Sequence, residues 1–134
     1  MILSQLKTEQ DVIVAIKEIS GEDVRACYQC GKCTAGCPLS GAMDLMPNQI
    51  LRLIQLGEYE QVLQCRTIWH CASCLTCASR CPKSVDPARV MEALRTILMR
   101  RGAVHVDIPT LPTQVLTEAP QQALIGGFRK FVGY

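Results

Sequence analysis

Residues 27–38 read CYQCGKCTAGCP, and residues 71–82 read CASCLTCASRCP. Both stretches follow one pattern, Cys-x-x-Cys-x-x-Cys-x-x-x-Cys-Pro, and together they contain eight of the nine cysteines in a chain of 134 residues. This is the spacing of a two-cluster ferredoxin, in which short cysteine-rich segments bind [4Fe–4S] cubanes. The repeat therefore predicts a protein that carries electrons on two [4Fe–4S] clusters.

The fourth cysteine of each motif determines how the two sites are connected. In two-cluster ferredoxins the cysteine before the proline binds the cluster that the other motif mainly holds. This rule predicts crossed ligation, which ties the two halves of the chain together. The predicted ligands are Cys27, Cys30, Cys33 and Cys81 for cluster I, and Cys71, Cys74, Cys77 and Cys37 for cluster II.

Zinc sites and disulfide bonds are the alternative uses of closely spaced cysteines. Zinc knuckles usually contribute two cysteines each rather than four. The odd number of cysteines and the lack of a secretory signal pattern argue against disulfides. Cys65 lies outside both motifs and is expected to be a small buried apolar side chain. The other interpretations of Cys65 are an additional ligand or a redox-sensitive thiol.

Composition narrows the possible partners and location of the protein. Fourteen basic and twelve acidic side chains leave a formal charge of +2, which gives no indication of nucleic-acid binding. No stretch approaches the roughly 18 apolar residues that a membrane-spanning helix needs. We therefore expect a cytoplasmic protein with no direct membrane span.

The segments before and between the motifs have the periodicity of helices. An amphipathic helix is predicted at residues 8–19. Between the motifs, Pro47 is expected to begin a helix that Gly57 ends, and residues 58–64 form a second short helix. A helical connection is unlike the strands and turns of small bacterial ferredoxins. The predicted fold is therefore mostly α, an α-helical ferredoxin-like domain that binds two [4Fe–4S] clusters.

The second motif is followed by one more helix and then by a different kind of sequence. Asp86 is a suitable N-cap for that helix, and Gly102 is expected to end it. We predict a two-cluster domain at residues 1–102 and an extended C-terminal arm at residues 103–134. The proline-containing segment 107–121 is expected to be extended, and the apolar residues after it surround a Gly-Gly break. Such an arm either folds back on the domain or, as we favour, docks on a partner.

Three stretches together resemble a known family, the C subunit of heterodisulfide reductase. They are CYQCGKCTAGCP (27–38), PNQILRLIQLGE (47–58) and TIWHCASCLTCASRCPKSVDPARVMEALR (67–95). The resemblance covers roughly residues 12–102. It implies a hetero-oligomer in which this chain passes electrons through two [4Fe–4S] clusters between partners. Those partners are a flavin- and cluster-bearing A-type subunit and a B-type cysteine-rich subunit that cleaves a disulfide.

The chain has no residues that indicate catalysis of its own. It contains no adjacent cysteines, which are typical of the motif of the catalytic B-type subunit. It also contains neither the Gly-x-Gly-x-x-Gly motif of dinucleotide-binding proteins nor a Walker loop. The two histidines, His70 and His105, lack a convincing nucleophile or base partner in the sequence. Trp69 is expected to shield the second site from water, and His70 to be solvated rather than bonded to a cluster sulfur. We therefore predict an electron-transfer subunit with no catalytic residue.

Two other function classes carry the same cysteine pattern. One is the iron–sulfur subunit of a flavin-linked dehydrogenase that oxidises succinate or glycolate or reduces fumarate. Those proteins commonly add a plant-type [2Fe–2S] domain or a fused cysteine-rich domain, and this chain has neither. The other is a free-standing ferredoxin, against which the apolar C-terminal arm argues.

Overall fold

The computed structural model of the protein describes residues 9–103, 107 and 110–128. The chain divides into two compact units, residues 1–103 and residues 104–134. In the described part of the chain all regular elements are helical and there is no strand, so the predicted mostly α fold is confirmed. None of the described helices is long and apolar enough to cross a membrane.

The first unit contains seven α-helices among its described residues. They are α1 Glu9–Ser20, α2 Lys32–Ala35, α3 Pro47–Leu56, α4 Tyr59–Gln64, α5 Thr67–His70, α6 Thr76–Ser79 and α7 Pro87–Arg100. Two 3₁₀ turns, Val24–Ala26 and Ser40–Ala42, lie on either side of α2. The short helices α2 and α6 belong to the two cysteine motifs, and the longer helices surround them.

The long helices enclose an aliphatic core. Helix α1 packs along α7, and α3 packs against α4 and α7. The apolar stripes predicted for these helices supply side chains that are almost completely withdrawn from solvent. These include Ile16, Ile50, Leu51, Ile54, Val62, Ile68, Met91, Leu94 and Ile97. Because apolar burial is the main favourable term in folding, this core is what holds the cysteine motifs in place.

The predicted ends of α3 and α7 are confirmed. Pro47 begins α3, and Gly57 ends it in the left-handed conformation with φ 84°. The Asp86 carboxylate caps α7 by accepting hydrogen bonds from the N–H groups of the next two non-proline residues, at 2.8 and 3.3 Å. Gly102 follows the last turn of α7 with φ 80°. Local chemistry is therefore sufficient to define both helices.

The prediction of an extended segment at residues 107–121 is wrong for residues 113–118 and 121, which are helical. Within the described residues of the second unit, α8 covers Thr113–Glu118 and α9 covers Gln121–Phe128. Pro112 and Pro120 directly precede these helices. Proline lacks a backbone N–H, and at the start of a helix this has no cost because an N–H there would have no hydrogen-bond acceptor within the helix. Helix α9 also continues through the Gly-Gly pair that was expected to break it. Residues 129–134, part of the predicted apolar end, lie outside the described residues.

Asp44 links the segment before α3 to the start of α5, which leads directly into the second motif. Its carboxylate accepts hydrogen bonds from the Arg66 N–H at 2.8 Å, the Thr67 N–H at 2.9 Å and the Thr67 hydroxyl at 2.7 Å. Desolvation acts to raise the pKa of Asp44. These hydrogen bonds, with the Arg66 N–H first among them, outweigh desolvation and hold the pKa well below its usual range.

We expect Asp44→Ala to lower the free energy of unfolding by about 1–2 kcal/mol, because it removes the carboxylate that accepts hydrogen bonds from Arg66 and Thr67 at the start of α5. A carboxyl group whose pKa is lower in the folded state than in the unfolded state stabilises the folded protein at pH values above the unfolded-state pKa, near 3.9. This stabilisation is lost only as the pH falls below that value. The difference from wild type should therefore be equal at about pH 8 and about pH 5.5. Anaerobic denaturant titration measures it, and Glu18→Ala, at an exposed carboxylate of α1, is the control. An effect no larger than that of the control would contradict the assignment.

Candidate metal centres

The two cysteine motifs share one backbone conformation. In each motif the residues on both sides of the second cysteine adopt left-handed φ angles: 63° at Gln29, 75° at Gly31, 51° at Ser73 and 61° at Leu75. For a residue other than glycine this conformation costs about 1–2 kcal/mol. Strain of this kind persists where the surrounding structure requires it, commonly at functional sites. The sequence repeat is therefore also a structural repeat.

The second cysteine of each motif is exposed and lies just before a short helix. Cys30 precedes α2, and Cys74 precedes α6. The pKa of Cys30 is lowered, chiefly because its sulfur accepts a hydrogen bond from the Lys32 N–H. The pKa of Cys74 is lowered chiefly by the Thr76 hydroxyl, whose oxygen is 3.4 Å from the Cys74 sulfur. Both positions therefore favour a thiolate at the protein surface.

The third cysteine of each motif is withdrawn from solvent. Cys33 is buried and Cys77 is partly buried. Burial raises the pKa of Cys33, and burial followed by the negative charges of Asp86 and Cys71 raises the pKa of Cys77 to about 11. Such sulfurs become thiolates at neutral pH when a bound metal supplies positive charge, since metal coordination deprotonates a thiol.

A long helix holds the first cysteine of each motif through its backbone carbonyl. The Gln55 side-chain amide on α3 donates to the Cys27 carbonyl at 2.8 Å. The Arg95 guanidinium on α7 donates to the Cys71 carbonyl at 3.2 Å and to the Ser73 hydroxyl at 3.1 Å. Sequence reasoning missed both anchors, because each joins residues more than twenty positions apart and no local pattern indicates the pairing.

The two motifs also contact each other directly. Helix α2 packs against α6, and the Arg80 side chain covers Gly36 at the end of α2. A Cβ atom at Gly36 would lie only 2.5 Å from Arg80 Cδ. The absence of a side chain at Gly36 therefore leaves room for the Arg80 side chain to lie over the end of α2.

Cys37 lies with the first three cysteines of the second motif around a single cavity. The cysteines that line it are Cys37, Cys71, Cys74 and Cys77. The rest of its wall is mostly apolar and includes Leu39, Met43 and Met91. Four sulfurs around an apolar cavity fit a [4Fe–4S] cubane, which takes one thiolate on each iron and is shielded from water by apolar side chains.

Cys81 lies on the side of the first motif. The pKa of the Tyr28 hydroxyl is raised, first by its hydrogen bond with Cys30, then by desolvation, and then by the negative charges of Cys30, Cys81 and Cys27. Because the interaction between charges weakens with distance, this effect indicates that Cys81 lies in the neighbourhood of Tyr28. The Val85 N–H donates to the Cys81 sulfur at 3.3 Å.

No mononuclear site is formed by the part of the chain that the structure describes: no three histidine, cysteine, aspartate or glutamate side chains converge on one ion position. The ligands of a cubane each bind a different iron atom and stand around the cluster rather than around one point. The arrangement of these cysteines therefore suits a cluster better than a zinc ion.

The remaining residues that the sequence singled out are placed as follows. Cys65 is buried in the aliphatic core, and burial raises its pKa, as expected for a structural thiol. Trp69 is partly buried against the same core, whereas His70 is exposed. His105 lies outside the described residues.

Comparison with known proteins agrees with this geometry. Residues 23–85 match the family described as a 4Fe-4S dicluster domain. The chain is 38% identical to an iron–sulfur C-type subunit of the CoB–CoM heterodisulfide reductase of Methanocaldococcus jannaschii, over 69% of this chain and 51% of the relative. It is 31% identical to an Archaeoglobus profundus protein that is named for its likeness to the heterodisulfide reductase C subunit, over 75% of this chain and 54% of that protein. The chain thus spans about half the length of these curated relatives.

Fold, cysteine motifs and family match define an α-helical iron–sulfur protein of electron transport with two [4Fe–4S] clusters as cofactors. The prediction of the cofactors is confirmed. Within this class the chain is a homologue of the C subunits of heterodisulfide reductase, as its sequence motifs indicated.

We expect Cys65→Ala to leave the iron content unchanged, because Cys65 packs in the core and both predicted ligand sets are complete without it. Cys77→Ala, which removes a predicted ligand, should reduce the iron content by up to about four atoms per chain. Iron and acid-labile sulfide analysis of the anaerobically purified proteins measures both changes. Loss of a whole cluster from Cys65→Ala would show that this thiol is a ligand.

Proposed function

We propose that this chain is the electron-transfer subunit of a heterodisulfide-reductase-type complex. In this role it relays electrons between an A-type flavin- and iron–sulfur-containing subunit and a B-type subunit that cleaves a disulfide. The observation that carries the proposal is the similarity to several C subunits over 59–75% of this chain. The clusters, when bound, supply one-electron carriers, and the residues of the chain position and shield them.

The proposed ligands are Cys27, Cys30, Cys33 and Cys81 for cluster I, and Cys71, Cys74, Cys77 and Cys37 for cluster II. The cavity that Cys37 shares with three cysteines of the second motif supports the second set. The effect of the Cys81 charge on Tyr28, a residue of the first motif, supports the first. With Cys30 and Cys74 both exposed, each cluster would have one edge near the protein surface, as exchange of electrons with a partner requires.

Crossed ligation can be tested by comparing two double variants. We expect Cys37→Ala/Cys74→Ala to lose one cluster, because both cysteines belong to cluster II. Cys37→Ala/Cys30→Ala should lose both clusters, up to about eight iron atoms per chain, because its two cysteines belong to different clusters. Iron and sulfide analysis with EPR spectroscopy of the reduced proteins distinguishes the two results. The reverse pattern would establish uncrossed ligation.

We also propose that the second unit, residues 104–134, docks on a partner subunit. Its described helices expose apolar side chains: Val115 is 43% exposed and Ile125 is 55% exposed. Such side chains are favourably buried at protein–protein interfaces. Because this unit is compact in itself, it can act separately from the two-cluster unit.

We expect truncation after Ala103 to leave both clusters intact and to abolish co-purification of the partners from anaerobic extracts of the native host. On the full chain, Ile125→Asp should reduce co-purification at least severalfold, because a charge replaces an exposed apolar contact. Gln122→Asp, on the same helix, is the matched control for added charge.

The identity of the co-purified proteins tests the larger proposal. A flavoprotein together with a chain rich in Cys-Cys motifs is the expected result. A dehydrogenase flavoprotein without such a chain would refute a heterodisulfide-reductase-type complex. Unchanged recovery of all partners after truncation would refute the docking role alone.

A further inference from the structure

The side chain of Gln29, a residue between the first two cysteines of the first motif, contacts a cysteine sulfur. Its amide nitrogen Nε2 lies 3.3 Å from the sulfur of Cys27, two residues earlier in the chain. The residue is held at φ 63°, in the left-handed region that glycine or asparagine usually occupies. A long polar side chain is therefore kept at a strained backbone position where it reaches a ligand sulfur.

The chemistry of a cluster ligand makes this contact directional. A cysteine that binds iron is a thiolate and carries lone pairs but no proton. The amide N–H of Gln29 is attracted to such a sulfur, whereas the amide oxygen would be repelled by it. Reduction adds negative charge that the cluster shares with its sulfur ligands. A hydrogen-bond donor therefore stabilises the reduced state more than the oxidised state, and this raises the reduction potential.

The second copy of the motif provides an internal comparison. Ser73 occupies the position of Gln29 and has nearly the same backbone conformation, with φ 51°. Its side-chain oxygen accepts a hydrogen bond from Arg95 at 3.1 Å. The two copies therefore present different side chains from one shared backbone position. In the first copy that side chain bonds a cysteine sulfur, and in the second it anchors α7 to the loop.

We propose that Gln29 tunes cluster I: its amide N–H donates a hydrogen bond to the Cys27 thiolate and raises the reduction potential of that cluster alone. The inference rests on the proposed role of Cys27 as a ligand of cluster I. Gln29 does not bind iron and acts through Cys27. From this left-handed conformation, which Ser73 shares, the Gln29 side chain reaches back to the sulfur of Cys27.

Three substitutions of Gln29 separate the hydrogen bond from other effects. Gln29→Met keeps the length of the side chain and removes the donor. Gln29→Glu keeps its shape and replaces the donor with a negative oxygen. Gln29→Gly removes the donor and relieves the left-handed strain, so this variant is expected to fold at least as stably as wild type. Ser73→Gly makes the same kind of change in the other copy and serves as the matched control.

EPR-monitored redox titration of the full chain carrying both clusters measures the two midpoint potentials. We expect Gln29→Met and Gln29→Gly to lower one potential, changing the reduced-to-oxidised ratio at a fixed potential by roughly threefold to tenfold. Gln29→Glu should lower the same potential further. Ser73→Gly should leave the potential that the Gln29 variants lower at its wild-type value, because Ser73 lies in the other copy of the motif and its hydroxyl bonds Arg95.

Different outcomes would overturn the inference and the assignment on which it rests. Unchanged potentials in Gln29→Met and Gln29→Gly, with full iron content, would refute a tuning role for Gln29 and leave the ligand role of Cys27 intact. An equal shift in Ser73→Gly would show that the backbone position, and not the amide, sets the potential. Retention of both clusters by Cys27→Ala would instead refute Cys27 as a ligand.

Discussion

The constraint on which this structure depends is the concentration of eight cysteines in two short segments of the chain. Sulfurs that are withdrawn from water, such as those of Cys33 and Cys77, have raised thiol pKa values and resist ionisation. Iron supplies the positive charge that makes them thiolates. The polypeptide contributes N–H groups, hydroxyls and apolar walls, which position the sulfurs and exclude water.

The helical scaffold meets this constraint by using the same local backbone structure in both cysteine motifs. Each motif is a left-handed turn followed by one turn of helix, and each is tied by its first cysteine to a long helix, through Gln55 or through Arg95. The long helices pack into one aliphatic core, so the two motifs are held at a defined separation. Different side chains at equivalent positions, Gln29 and Ser73, give the two sites different surroundings. An electron carrier with two clusters can in this way have two distinct potentials on one repeated backbone.

Much of the first unit can be predicted from local chemistry. Pro47, Gly57, Asp86 and Gly102 define helix ends because their backbone preferences act within a single turn. The same local reasoning failed in the second unit, where prolines were interpreted as signs of extended chain. Their positions immediately before α8 and α9 are among the few that favour a helix. A proline is informative only when its place relative to a helix start is known.

The spacing of the cysteines and the periodicity of the helices predicted the cofactor and the fold class, and the resemblance of three sequence stretches to a known family indicated the family. These properties depend on residues a few positions apart, whose geometry the covalent chain itself restricts. The Asp44 link to α5 and the contact of Arg80 with Gly36 were visible only in the folded chain. So was the bond from Gln29 to Cys27, although these residues are neighbours, because it depends on a left-handed backbone angle that glutamine rarely adopts. Contacts of this kind are decided by packing, which brings distant segments together and can impose a conformation against local preference.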